Sequence, residues 1–221
     1  MALDEERHSK ALEIELISDP EQRARQEAQN GLRQFDEVIE QTNYWLQPER
    51  PFRLRPSAIL SLHRRALEGI SSFAGVFRPG GIEIKGSKHQ PPGAHLVPEL
   101  VEELCDYVNE HWAKVPPLHL AAYTLWRMNW IHPFVDGNGR TSRAVSYLVL
   151  CVRLGYVLPG TTTIPEQISK NKDPYYKALE AADTANAAGR VDLAEMEKLL
   201  ESLLAVQLVS VINAARSKSS R

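Results

Sequence analysis

Twelve consecutive residues, 132–143, carry a histidine, an aspartate, two glycines, an asparagine and two arginines in the string HPFVDGNGRTSR. A loop that only joins two helices needs none of that chemistry. Asp136-Gly137-Asn138-Gly139 stands just before a helical pattern. Glycines there let successive backbone N–H groups turn toward one point, and the helix N-terminus behind them adds the positive end of its dipole. Such a concavity suits phosphate. Arg140 and Arg143, three apart on the first turn, face one side. Their guanidinium forks match phosphate oxygens two at a time, which lysine does not do. Two arginines and an amide nest imply a polyphosphate. Asp136 sets a carboxylate beside that anion, so a cation belongs between them, and Mg²⁺ takes one or two carboxylates together with phosphate oxygens. His132, with an imidazole that ordinarily titrates near neutrality, stands at the entrance to take a proton from an incoming nucleophile. The string predicts a Mg-nucleotide site with a general base, working on phosphoryl or nucleotidyl transfer by positioning and charge stabilisation. Phe134 reads as the apolar anchor that ties this loop to the core.

The rest of the chain narrows the setting. Its 221 residues are enough for one sizeable domain. A net charge of −2 and a pI near 6.4 leave no global basic field, so a nucleotide site must be local and no nucleic-acid partner is expected. Cys105 and Cys151 lie in apolar, helix-like contexts and read as small buried hydrophobes of a reducing compartment. No spacing suits zinc. The opening MALDEERHSKALEIEL is too charged for a signal peptide. The longest apolar run, AVSYLVLCV (144–152), is too short for a bilayer. A soluble, cytoplasmic chain with no membrane partner is expected.

The elements that must position the motif read mostly as helices. A first helix starts at SDPEQ, with Ser18 as cap and Glu21 completing a capping box, and buries Leu32, Phe35, Val38, Ile39 and Leu46. A second, at about 56–70, turns Ile59, Leu62, Leu67 and Ile70 inward. The segment GVFRPGGIEIKGSKHQPPG (75–93) carries a Pro-Gly-Gly turn, the alternating Ile82-Glu83-Ile84-Lys85 and a Pro-Pro stop, and predicts a β-hairpin or flap, the only strand signal. Helical patterns resume at 97–112, 116–131, 140–156, 173–183 and 191–215. The one at 140–156 is apolar on nearly all sides and reads as the central buried helix. Asp173 reads as a cap, and Asp192 with Glu195 as a capping box. The last helix, with Leu199, Leu200, Leu203, Leu204, Leu208, Val211 and Ile212, reads as core or as a dimer face; RSKSSR reads as frayed. The predicted fold is an all-α bundle with one small β flap.

HPFVDGNGR followed by Arg143 matches without gap or substitution the Fic signature, HxFx(D/E)GNGRxxR. The resemblance extends over the flap (AGVFRPGGIEI, then PPG) and the helices to about residue 185. It implies a Fic-type helical bundle with the β-hairpin flap beside the active site: an N-terminal helical extension over 1–50, a core over 51–190 and a C-terminal helix over 191–221. It further implies transfer of AMP from ATP to a Ser, Thr or Tyr hydroxyl of a target protein, with pyrophosphate released. By position His132 would be the base and Asp136 would hold Mg²⁺ against the α- and β-phosphates. Gly137, Asn138 and Gly139 would form the anion hole, and Arg140 and Arg143 would grip the phosphates. Ile82, Glu83, Ile84 and Lys85 would register the target backbone by strand addition. Tyr175 and Tyr176 fall where the family often lines the adenine pocket, and packing is an equal reading of both. Doc-type kinases of the superfamily carry lysine in place of the second loop glycine; Gly139 here favours attack at the α-phosphate.

Many members also carry an inhibitory helix, (S/T)xxxE(G/N), whose glutamate pairs with the last arginine of the signature. Glu27 is the positional candidate, although Arg23 replaces the Ser/Thr and Ala28 the Gly/Asn; a solvent-exposed helical glutamate is the simpler reading. Ser9 to Glu13 has the spacing but is followed by Ile14. Inhibition is then absent, or uses a degenerate motif or a separate antitoxin chain. Beside AMP transfer stand three alternatives: another nucleotide or phosphate-containing donor, removal of AMP, and an idle nucleotide-binding module, which the intact His132 disfavours.

Overall fold

The helix that follows the Asp-Gly-Asn-Gly turn, α5 (Asn138–Leu154), is the axis of the molecule. Val145, Leu148, Val149 and Cys151 on it have no solvent exposure, as the all-round apolar pattern requires. It ends at Gly155, which takes a left-handed φ of 88° and returns its N–H to the carbonyls of Cys151 and Val152. The computed structural model describes residues 9–10 and 16–219. Around α5 stand α1 (Pro20–Trp45), α2 (Pro56–Leu67), α3 (Val97–Glu110), α4 (Pro117–Ile131), α6 (Ile164–Lys170), α7 (Asp173–Ala187) and α8 (Ala194–Ser219). The 3₁₀ turn Ala94–Leu96 leads into α3. The architecture is all-α. Helix α4 lies along α5, with Ser146 donating across to the Ala121 carbonyl at 2.8 Å. Phe134 is fully buried and Cys105 and Cys151 are free buried thiols, as expected; burial pushes the latter up to about 12 and about 11. No helix among the described residues is long and apolar enough to cross a membrane.

The first helix corrects the expected apolar stripe. Asp19, not Ser18, caps it, its carboxylate accepting from the Gln22 N–H at 2.7 Å. Its buried residues are Asn30, Gln34, Val38 and Thr42, one face at four-residue spacing, while Leu32 is 70% exposed and Phe35 and Ile39 are half-buried. Asn30 donates to the carbonyls of Ala66 and Glu68, at 3.3 and 2.8 Å, and accepts from Gln26. Gln34 donates to the Leu62 carbonyl at 3.0 Å. Helix α1 is therefore sewn to the end of α2 by amides rather than pressed on it by leucines. An apolar-periodicity reading cannot see such a face, because buried amides look like surface residues until their partners are known.

Three other elements depart from expectation. Helix α6 went unread, although Thr163 caps it and Thr-Ile-Pro-Glu is a capping-box pattern. Asp173 is the first residue of α7 rather than its cap, which is Lys172. The flap is not a self-paired hairpin. Its strand β2 (Glu83–Ile84) pairs antiparallel with β1 (Ser9–Lys10), in the register Ser9↔Ile84 and Lys10↔Glu83. A second strand thus comes from the N-terminal segment, outside the flap that carries the strand signal. Glu13, of the alternative inhibitory spacing, lies outside the described residues.

At the other end α8 begins at Ala194, whose N–H is accepted by Asp192. Met196 and Leu200 are buried, and Leu199, Leu203, Leu204 and Leu208 lean on the core, so this part of the helix is core. Beyond it Ile212 is half exposed, and the helix runs on to Ser219. Gln207, fully buried, locks α8 in place: its amide donates to the Tyr147 hydroxyl and the Pro159 carbonyl, and its oxygen accepts from the Ile164 N–H.

The amide seam makes a reversed stability order. Asn30→Ala should cost about 1–3 kcal/mol, because two buried carbonyls lose a donor, whereas Leu32→Ala should stay within about 0.5 kcal/mol. Urea unfolding of both variants checks this; a larger loss for Leu32→Ala would contradict the seam.

Candidate active site

Helix α1, the flap, the 132–143 loop and the start of α7 enclose a cavity of about 520 Å³. His132, Asp136, Gly137, Asn138, Gly139, Arg140 and Arg143 all line it, and so do Tyr175, Tyr176 and Glu27. Of the four flap residues 82–85 only Ile84 reaches its wall.

His132 terminates α4 in a left-handed conformation, φ 51° and ψ 60°, the one positive-φ residue other than glycine among the described residues. Such a conformation costs about 1–3 kcal/mol and persists only where its surroundings over-determine it. Here Arg78 does so. Its Nε donates to the His132 carbonyl at 2.7 Å, and its backbone N–H to the Pro133 carbonyl at 2.9 Å. The remaining guanidinium nitrogens donate to the carbonyls of Gly80, Pro92 and Ile131. Only 3% exposed, Arg78 binds the flap to the base of the site. The imidazole of His132 lies 3.3 Å from the Asn129 carbonyl through Nδ1. A carbonyl can only accept, so Nδ1 carries the proton and Nε2 is the lone-pair nitrogen. The ring is 7% exposed rather than open at an entrance, and burial pushes its pKa down to about 4. It is not poised near neutrality; it is held as the neutral imidazole.

The loop is rigid from beneath. Asn138, 4% exposed, accepts from the Phe134 N–H at 2.9 Å and donates to the Phe134 carbonyl at 2.7 Å, so its side chain closes the turn and only its backbone can serve an anion. Phe134 stacks on His63 with ring centroids 3.6 Å apart. Gly75 donates to His63 Nδ1 at 2.9 Å, which leaves the proton on Nε2 to donate to the Asp136 carbonyl at 3.0 Å. Gly137 has φ 75°, and a Cβ there would lie 2.7 Å from Leu67. No other residue fits. The first-turn amides of α5 have no acceptor within their own helix, and their residues Asn138, Gly139 and Arg140 line the cavity.

Charge concentrates on the α1 side. Asp136 Oδ2 receives Arg140 at 3.1 Å and Arg23 at 3.4 Å, and Oδ1 receives the Gly137 N–H at 2.6 Å. Glu27 pairs with Arg23 at 3.2 Å and with Arg140 at 3.7 Å. It thus lines the cavity within a four-member ion cluster, while its side chain stays 37% exposed. Arg143 lies against Gly139, whose Cβ position is 3.2 Å from its guanidinium. Among the described residues no group of three or more His, Cys, Asp or Glu could cage a metal. A single carboxylate beside an anion site fits Mg²⁺, which brings phosphate and water ligands of its own.

Tyr175, which also lines the cavity, is 2% exposed; burial pushes its phenol up to about 12. Tyr176 is half-buried beside it, the two ring centroids 5.8 Å apart. Asp183 also lines the cavity and accepts from the Trp126 indole at 2.8 Å. Sequence reading missed the contributions of Arg78, His63 and Arg23. The Arg-Pro-Gly-Gly string and the helical register of Arg23 to Glu27 were visible, but what they reach was not.

Buried His63, also pushed to about 4, and His132 fix the sign of a pH effect. Both are neutral when folded, while the unfolded chain binds protons at about 6.5. Their stability contribution is complete above about pH 6.5 and is lost as pH falls toward 4. The urea midpoint should therefore fall between pH 7 and pH 5, and His63→Gln should flatten that slope; an unchanged midpoint would contradict the burial.

Residues 53–150 match the Fic/DOC family. Protein adenylyltransferase Fic of Drosophila persimilis is 36% identical over 127 residues, 57% of this chain and 23% of that protein. The match therefore spans less than a quarter of that relative's length. A Fic domain containing signaling protein from Bacteroides thetaiotaomicron has the same fold, with a TM-score of 0.73 at 22% identity over 91% of this chain and 76% of that one. BepC, a VirB-translocated effector from Bartonella tribocorum solved with bound AMPPNP, gives a TM-score of 0.56 at 16% identity over 85% and 88% of the two chains. The segment that matches the Fic/DOC family, residues 53–150, contains the whole 132–143 loop.

Proposed function

We propose that this chain is a protein adenylyltransferase, moving AMP from ATP to a Ser, Thr or Tyr hydroxyl of another protein. The observation that carries the reading is the neutral, Nδ1-anchored His132 on the same cavity as the N-terminus of α5, Arg140 and Arg143. Oxygen of the target hydroxyl attacks the α-phosphorus while His132 Nε2 takes its proton. The bond to the β-phosphate breaks, and pyrophosphate leaves with the electron pair. Gly137, Asn138 and Gly139 offer backbone amides to the developing charge, and Arg140 and Arg143 hold the phosphates. Asp136 would hold Mg²⁺, which when bound supplies charge neutralisation on the α- and β-phosphates. Tyr175 and Tyr176 bound the side of the cavity where adenine would lie. The BepC neighbour with AMPPNP and the Drosophila relative named an adenylyltransferase support a nucleotide and this donor.

The flap supports target registration by strand addition. Its strand β2 already takes an antiparallel partner, Ser9–Lys10, so its edge is competent for pairing with an extended backbone. A target adding at that edge must displace this segment.

Glu27 supports a second, regulatory part of the reading. Paired with Arg140 before any nucleotide arrives, it engages a phosphate-gripping side chain and would restrain the transferase.

Covalent labelling from ATP radioactive at the α-phosphate, with Mg²⁺ and cell lysate, tests the proposal. Wild type should label a protein band, and Glu27→Ala should label it more strongly. His132→Ala should lower transfer by about 10²-fold or more with AMPPNP affinity nearly unchanged, since it removes the base and leaves the cradle. Transfer at the wild-type rate by His132→Ala would refute the mechanism. AMPPNP binding without labelling by any variant would leave a nucleotide-binding module in place of an enzyme.

A further inference from the structure

Arg23 belongs neither to the signature loop nor to the segment that matches the family, yet it touches the carboxylate on which the metal would sit. We propose that Arg23 is a built-in competitor for the divalent cation at Asp136, setting how strongly Mg²⁺ assists nucleotide binding. The inference rests on the reading of Asp136 as the metal-holding residue.

Both oxygens of Asp136 are engaged. Oδ1 accepts the Gly137 N–H, and Oδ2 accepts from Arg140 and from Arg23. Arg140 sits one helical turn beyond Asp136 on the phosphate side, so an arriving nucleotide offers its guanidinium a stronger partner. Arg23 has a different origin. It projects from α1, and Glu27 one turn later accepts from its Nε at 3.2 Å, which restrains the guanidinium toward Asp136. The four groups, two guanidiniums and two carboxylates, balance to zero charge. A dication on Asp136 would face the Arg23 cation within the same cluster, so its arrival must drive Arg23 off the carboxylate. The side chain is 26% exposed and has solvent to withdraw into, so displacement is a finite cost rather than a block. Asp136 itself is 31% exposed, which keeps that cost within reach of metal and nucleotide together. Position 23 thus tunes the coupling between metal and nucleotide, and a neutral residue there would release the carboxylate.

The experiment is calorimetric titration of the full chain with AMPPNP, once in EDTA and once in Mg²⁺, comparing the ratio of the two dissociation constants. Arg23→Ala and the length-preserving Arg23→Gln should each raise that ratio, by about fivefold or more relative to wild type. Asp136→Asn should reduce it to about one, whether residue 23 is arginine or glutamine. Thermal melts of each variant confirm that the fold is retained. An unchanged ratio in both Arg23 variants, with Asp136→Asn still abolishing the Mg²⁺ gain, overturns the competitor role and leaves the metal site standing. A wild-type ratio in Asp136→Asn removes the metal reading itself and the proposal with it. Equal loss of affinity in EDTA and in Mg²⁺ for both Arg23 variants would make Arg23 a phosphate-gripping residue instead, and also overturns the proposal.

Discussion

The left-handed turn at His132 is the constraint on which the rest of the site depends. Helix α4 must stop, reverse and hand the chain to α5 within six residues, and it does so by placing a β-carbon-bearing residue where glycine is usual. The buried Arg78 guanidinium holds that turn by its carbonyl and holds the flap by two others. One side chain therefore sets both where His132 sits and where the flap lies. The same burial that makes the turn affordable also strips the imidazole of water, and an imidazole without water is a neutral one.

Beneath the turn the loop is supported by buried contacts within the protein. Asn138 bridges to both backbone groups of Phe134, and His63 stacks on that ring while bonding the Asp136 carbonyl. These contacts explain how a string with two glycines can be rigid. Flexibility of the residue type is spent on reaching one backbone conformation, which buried partners then lock. The backbone at the start of α5 is fixed by the same contacts.

Helix α1 supplies what the loop does not: two opposite charges, Arg23 and Glu27, laid across the ion pair of Asp136 and Arg140. It can carry them there because its buried face is sewn to α2 by Asn30 and Gln34, which fixes the helix's rotation as hydrogen bonds do and nonspecific apolar contact does not. A half-turn of rotation would carry Glu27 out into solvent. Stability of the α1–α2 seam and the electrostatics of the cavity are in this way one problem.

Much of this was legible in the chain itself. The order His, Asp, Gly, Asn, Gly, Arg, Arg places an imidazole, a carboxylate, a glycine turn and two guanidiniums within twelve residues, and all of them line one cavity. The all-round apolar pattern of 140–156 likewise determined a central helix, because only burial accommodates it. What the sequence left open are contacts between residues far apart along it. The polar face of α1, the reach of Arg78 to His132, the pairing of Ser9–Lys10 with the flap and the approach of Arg23 to Asp136 each join segments tens of residues apart. The pKa of His132 belongs with them, for burial is a property of the assembled core. Local spacing specifies which groups are neighbours on one element; only packing decides which elements are neighbours, and so which charges are paired and which imidazole is dry.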